Sequence, residues 1–114
     1  MEIEVGTSSC LTPTVFHRNE RILRILLIND RAWLCAQDLG RLMGIGLVDH
    51  RLAKLDADQQ CTLTLMSGGH ARERVMVSDC GAFALLVYHL IPENRALRRW
   101  LSCEVLPSLR SSAR

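Results

Sequence analysis

Thirteen of the fourteen basic residues in this chain are arginines, with Lys54 the exception. A guanidinium is a rigid fork of donors that grips carboxylate, phosphate or a guanine edge in two places, where an ammonium acts as a point charge. The charges are unevenly spread. Residues 94–114 hold Arg95, Arg98, Arg99, Arg110 and Arg114 against a single Glu104, whereas residues 55–93 hold Asp56, Asp58, Glu73, Asp79 and Glu93 against Arg72 and Arg74. A GC-rich genome also favours arginine over lysine, and the net charge is only +2. Composition alone therefore leaves anion binding and codon bias both open.

Other chemistry finds less support. His17, His50, His70 and His89 are dispersed, and no nucleophile, base and orienting group fall into a catalytic spacing. There is neither a phosphate-cradling G-x-x-x-x-G-K-[ST] loop nor an H-E-x-x-H pair. Asp38 near Arg41, and Glu104 near Arg99, read as a helix N-terminal charge and a surface ion pair. Cys10, Cys35, Cys61, Cys80 and Cys103 are odd in number and never form C-x-x-C. They read as small buried hydrophobes with free thiols. The expectation is no enzyme, no metal and no cofactor.

The elements that must position the arginines follow from pattern. A chain of 114 residues is one domain. No apolar run reaches the roughly 20 residues of a spanning helix, and Met1-Glu2-Ile3-Glu4 lacks the basic start of a secretory signal. The expected location is cytoplasmic. Residues 1–13 read as a loosely held arm, 14–110 as the domain and 111–114 as a tail. Val15–Arg18, Ile22–Ile28 and Arg31–Leu34 form an antiparallel meander, with turns at Asn19-Glu20 and Asn29-Asp30, where Asn29-Asp30 can take positive φ. Cys61–Met66 and Arg74–Val77 form a hairpin around Ser67-Gly68-Gly69-His70.

About four helices complete an α+β fold. Ala36, Leu39, Leu42 and Met43 share one face of a helix stopped by Gly44. Asp49–Leu55 reads as a second helix, giving the pair a helix-turn-helix outline. Ser78 or Asp79 caps a third helix with Cys80, Phe83, Ala84, Val87 and Ile91 on one face. Leu85, Leu86 and Leu90 make it apolar nearly all round, so it sits in the core or at a subunit interface. Pro92 ends it. The last helix starts near Glu93, with Leu97, Trp100, Leu101 and Val105 inward and Arg95, Arg98, Arg99 and Ser102 outward. Pro107 kinks or stops it.

Several of these pieces stand in the order of a known family. They are Phe16, the run Ala32-Trp33-Leu34-Cys35-Ala36-Gln37-Asp38-Leu39, Leu42-Met43-Gly44, Leu52 through Asp58, Gly68-Gly69 and Val77 through Leu85. Pro92-Glu93-Asn94, Trp100-Leu101 and Glu104-Val105-Leu106-Pro107-Ser108-Leu109-Arg110 make the closest match, although Asn94 stands where the family commonly has a small residue. Over residues 14–110 the chain resembles the BRO-N domain, the N-terminal DNA-binding module of baculovirus repeated-ORF proteins and of phage and prophage antirepressors. Full antirepressors continue into a second domain.

The resemblance implies a phage-type transcriptional regulator that binds double-stranded DNA. The candidate contacts are Arg41, Arg51 and Lys54 on or beside the helix pair, Arg72 and Arg74 on the hairpin, and Arg95, Arg98, Arg99 and Arg110 on the C-terminal helix. Sequence reading of DNA is expected from the helix pair and the hairpin. The alternative is a protein-interaction module that inactivates a repressor without touching DNA. Phe83, Leu86, Leu90 and Trp100 are the expected core or dimer residues of a homodimer.

Overall fold

The computed structural model of the chain describes residues 11–46, 52–88 and 92–112. Three strands open it, β1 (Thr14–Arg18), β2 (Arg21–Ile28) and β3 (Arg31–Cys35), followed by α1 (Ala36–Met43). A 3₁₀ turn at Ala57–Gln59 leads into β4 (Gln60–Ser67) and β5 (His70–Ser78). The chain then forms α2 (Asp79–Tyr88), α3 (Pro92–Trp100), a π-helical turn (Leu101–Val105) and α4 (Leu106–Ser112). The strands make one antiparallel sheet in the order β1-β2-β3-β5-β4.

The hairpins among the described residues each close with two residues at positive φ. They are Asn19-Glu20 (51° and 68°), Asn29-Asp30 (51° and 66°) and Gly68-Gly69 (57° and 80°). Two successive left-handed residues twist a turn in the sense of the strands it joins, which fixes the register of each pair. The expected meander and hairpin are both present, the hairpin longer than its apolar alternation suggests.

Period-2 alternation gives the sheet two different faces. Leu23, Ile25, Leu34 and Val77 point to the side covered by α1, α2 and α3, and join Leu39, Leu85, Leu97, Trp100 and Leu101 in the main core. Leu26, Cys35, Leu65 and Met76 form a smaller cluster on the other side, flanked by Leu11, Trp33 and Leu63. Leu11, near the end of the expected arm, bridges Leu65 in parallel: its N–H donates to Thr64 O at 2.9 Å and its carbonyl accepts from Met66 N at 2.8 Å.

One ion pair joins sheet to helix. Arg24, in the middle of β2, is 7% exposed, and Asp38, in the first turn of α1, is 0% exposed. Arg24 Nε donates to Asp38 Oδ2 at 2.8 Å and Nη2 to Oδ1 at 2.9 Å, while the Arg24 backbone N–H donates to Oδ2 at 2.9 Å. The β2–β3 register runs only to Ile25 and Leu34. The carboxylate thus takes a sheet N–H at the point where β3 turns into α1. The side-chain hydrogen bonds to Asp38 hold the guanidinium protonated more firmly than usual. Asp38 is therefore the anchor of α1, rather than a helix-end charge beside Arg41.

The helices correct the sequence reading in three places. α2 is turned from its expected phase: Gly81, Ala82, Leu85 and Leu86 are buried or half-buried, Cys80, Ala84 and Val87 are not in the core, and Phe83 is half-buried. Ile91 and Leu90 lie outside the described residues. Pro107 neither stops nor ends the last helix. It is the second residue of α4, just after the π turn in which Leu106 N–H reaches back to Leu101 O. The backbone stays right-handed helical through Trp100 and Leu106, so the described residues carry three helical rods rather than four. Of the expected second helix, Asp49–Leu55, residues 49–51 lie outside the described residues, and the rest is a turn in which Leu55 N–H donates to Leu52 O at 2.9 Å, so no helix-turn-helix is established among the described residues.

Local chemistry explains the helix ends. Ser78 Oγ accepts from Gly81 N at 3.0 Å, so Ser78 is the cap of α2. A Cβ at Gly81 would stand 2.9 Å from Gln59 O, so this glycine lets α2 approach the 3₁₀ turn. Gly44, at φ 79°, ends α1: its N–H donates to Arg41 O at 3.2 Å and that of Ile45 to Gly40 O at 2.9 Å, the paired bonds of a Schellman cap. Asn94 is buried and donates to Leu86 O at 3.1 Å, tying α3 to α2.

Removing one partner of a buried ion pair leaves the other charge uncompensated, at a cost of about 3–5 kcal/mol. Asp38→Ala is expected to lose that much in urea unfolding. Asp38→Leu combined with Arg24→Met should recover part of it, but not the bond to the β2 N–H. A loss below about 1 kcal/mol for Asp38→Ala, well under the range for a broken buried pair, would show that α1 is anchored otherwise.

Candidate nucleic-acid interface

The arginines singled out by the sequence fall into separate groups. On α3, helical spacing puts Leu97 and Trp100 in the core and Arg95, Arg98 and Arg99 outside. Together with Phe83 of α2 and Ser102 of the π turn they line a groove of about 430 Å³. Ser102 Oγ spends its proton within the rod, donating to Arg98 O at 2.9 Å. Among the described residues, no acid lines this groove.

Arg41 is exposed at the C-terminal end of α1. It shares a cleft of about 290 Å³ with Arg18, Asn19 and Arg21 of the β1–β2 hairpin, none of which the sequence marks as a candidate. Strand and turn patterns say nothing of what a hairpin tip folds against, so no local signal points to them.

The remaining candidates are placed differently. Arg72 is exposed and Arg74 half-buried on β5, opposite Leu65 and Leu63 of β4. The β5 residues paired with β3 are only Met76, Val77 and Ser78, so the outer part of the hairpin extends past β3, held by β4–β5 pairing and by the Leu11 bridge to Leu65. Lys54 is exposed in the turn after Leu52, and Arg51 lies outside the described residues. Arg110 is engaged internally: Nη1 donates to Asp30 O at 3.2 Å and Nη2 to Asp79 Oδ2 at 3.4 Å, which ties α4 to the β2–β3 turn and the start of α2. An exposed pair of this kind contributes little stability.

Phe83 therefore belongs to the arginine groove, whereas Leu86 and Trp100 belong to the core. Leu90 is outside the described residues. No helix among the described residues is long and apolar enough to cross a membrane.

The model of the BRO family, N-terminal domain, matches residues 22–107. The chain belongs to the BRO family. Its BRO N-terminal domain takes in the sheet from β2 onward and the helices as far as Pro107, and membership supports a regulatory role. The Arg24–Asp38 pair and the α3 arginines lie within the matched residues, whereas Arg18, Arg21 and Arg110 lie outside them. No curated protein and no solved structure matches the chain.

The cysteines divide as well. Burial pushes the Cys35 thiol above its usual value of 9.0, and burial does the same to Cys61. Cys80 and Cys103 are exposed, contrary to the expectation that every cysteine is buried. Cys10 lies outside the described residues. Because the thiolate is the reactive form, iodoacetamide at neutral pH should modify Cys80 and Cys103 before the other described cysteines, and Cys35 only on unfolding. Peptide mapping by mass spectrometry checks the order, and early modification of Cys35 would contradict the core placement. A folded-state pKa above the unfolded one stabilises the fold below about pH 9 and loses that contribution as pH rises further.

Proposed function

We propose that this domain is a DNA-binding transcriptional regulator of the phage antirepressor type, without catalytic activity, that meets duplex DNA through arginine contacts to phosphate. The observation that carries this reading is the groove of Arg95, Arg98, Arg99 and Phe83, with no acid among its described walls, in a chain of the BRO family. Three guanidiniums within five residues on one helix face suit a row of phosphates, which carry charge but no sequence. They position the protein rather than read bases. Base contacts are assigned to the extended β4–β5 hairpin with Arg72, since a two-stranded ribbon fits the major groove.

The triple variant Arg95→Ala, Arg98→Ala, Arg99→Ala should weaken duplex binding similarly for all sequences. It should also lower the slope of log K against log salt by about 0.9 for each phosphate no longer neutralised. Fluorescence anisotropy at several salt concentrations measures both. Wild-type affinity and slope in the folded variant would remove α3 from the interface.

A second reading is favoured by the apolar strip of α2, where Val87 is 56% exposed on the same helix as the exposed Cys80. Here the domain inactivates a repressor by direct contact, or pairs with a second copy of itself. A repressor held through this strip should co-purify after nuclease treatment and at high salt, and be lost on Val87→Glu. Retention of the repressor by that variant would take α2 out of the contact.

A further inference from the structure

The tip of the β1–β2 hairpin brings two like charges face to face. Arg18 and Arg21 are direct cross-strand partners on either side of the Asn19-Glu20 turn. Like charges in this position destabilise a hairpin, yet the turn also faces a third cation, Arg41 at the end of α1. The cleft among them has Asn19 on its rim and Leu42 and Leu97 among its walls. Among the described residues no acid lines it; Glu20, although in the turn, is not part of it.

Two of the guanidiniums are held in place. Arg18 lies over the Trp100 ring, 5.4 Å from its centroid, and Arg21 Nη1 donates to Arg41 O at 2.6 Å. Cation–π stacking uses the face of a guanidinium and leaves its edge donors available. The α1 C-terminus carries roughly half a negative charge, which opposes an anion. Three full positive charges outweigh it. The Arg41 and Gly40 carbonyls are moreover already satisfied by Arg21, Gly44 and Ile45.

From this geometry we infer that the cleft of Arg18, Asn19, Arg21 and Arg41 is a phosphate-binding site. Its ligand is a phosphate group, gripped by two or three guanidinium forks with the Asn19 amide as a further donor. Inorganic phosphate compounds and the backbone of a nucleic acid offer the same chemistry. Only the nucleic-acid source rests on the DNA-binding function proposed above, and the site stands or falls separately from the α3 groove.

The test titrates the full chain with inorganic pyrophosphate while following backbone and arginine side-chain resonances by NMR. In parallel, the salt slope of duplex DNA binding is measured. The variant is Arg18→Gln with Arg41→Gln, and Arg41→Lys alone keeps the charge but not the fork. Pyrophosphate is expected to shift Asn19, Arg21, Arg41 and Gly44 together, with affinity falling at least roughly tenfold in the double variant, the weight of one charge-assisted bond or more, and partly in Arg41→Lys. A DNA slope reduced by about 1.8 in the double variant, two phosphates at about 0.9 each, identifies the backbone as the source. Localised pyrophosphate shifts with an unchanged DNA slope identify a free phosphate ligand. Scattered or absent shifts, together with an unchanged slope in a variant that retains the wild-type thermal transition, overturn the site. In that case, DNA binding still sensitive to the α3 variant would leave the proposed function standing.

Discussion

The fold turns on a carboxylate that substitutes for a strand. Where β3 leaves the sheet to become α1, the β2 backbone at Arg24 would lose its acceptor, and the Asp38 carboxylate supplies one. The side chain of the same arginine then satisfies both carboxylate oxygens. A buried ion pair gains little net stability over an apolar pair of the same size, because both charges are desolvated. Its effect here is on geometry: it permits one position and one angle for the first turn of α1. That position sets where α1 ends, and so where Arg41 stands relative to the β1–β2 turn and α3.

The parts of this architecture governed by neighbouring residues are legible in the sequence. The Asn29-Asp30 and Gly68-Gly69 turns, Gly44 as a helix stop, a cap at Ser78 or Asp79, and the inward Leu97, Trp100, Leu101 and Val105 all follow from local pattern, the structure choosing Ser78. The phase of α2 does not, for a definite reason. Its sequence is apolar nearly all round, so periodicity carries no phase, and only packing against the sheet selects Ala82, Leu85 and Leu86 over Ala84 and Val87. The role of Asp38 is hidden because its partner lies 14 residues away, in a strand that is otherwise aliphatic from Ile22 to Ile28. Pro107 misleads because a proline early in a helical segment breaks nothing, its missing N–H falling where the preceding π turn has already shifted the bonding pattern.

The candidate site is half legible. Arg95, Arg98 and Arg99 can be placed outward by counting residues along a helix, and they line the groove as that count requires. That Phe83 joins them depends on the packing of α2 against α3, and that Arg18 and Arg21 join Arg41 depends on the sheet folding onto α1. Each arginine taken singly is an ordinary solvated side chain. Their grouping around two depressions comes from tertiary structure, and the chemistry of an anion-binding surface comes from that grouping.

The glycine that ends α1 and the one in the first turn of α2 have different prospects under sequence drift. Gly44 is held by its φ of 79°, with nothing within 4 Å of a Cβ. Asparagine, which tolerates left-handed geometry, is an accessible neighbour in sequence space. Gly81 has helical geometry that any residue adopts, but a Cβ there meets the Gln59 backbone oxygen at 2.9 Å. Even alanine forces α2 away from the 3₁₀ turn, and with it the Phe83 wall of the arginine groove. A change at residue 44 therefore adds a side chain to the wall of the arginine cleft without moving α1, whereas a change at residue 81 reshapes the α3 groove from behind.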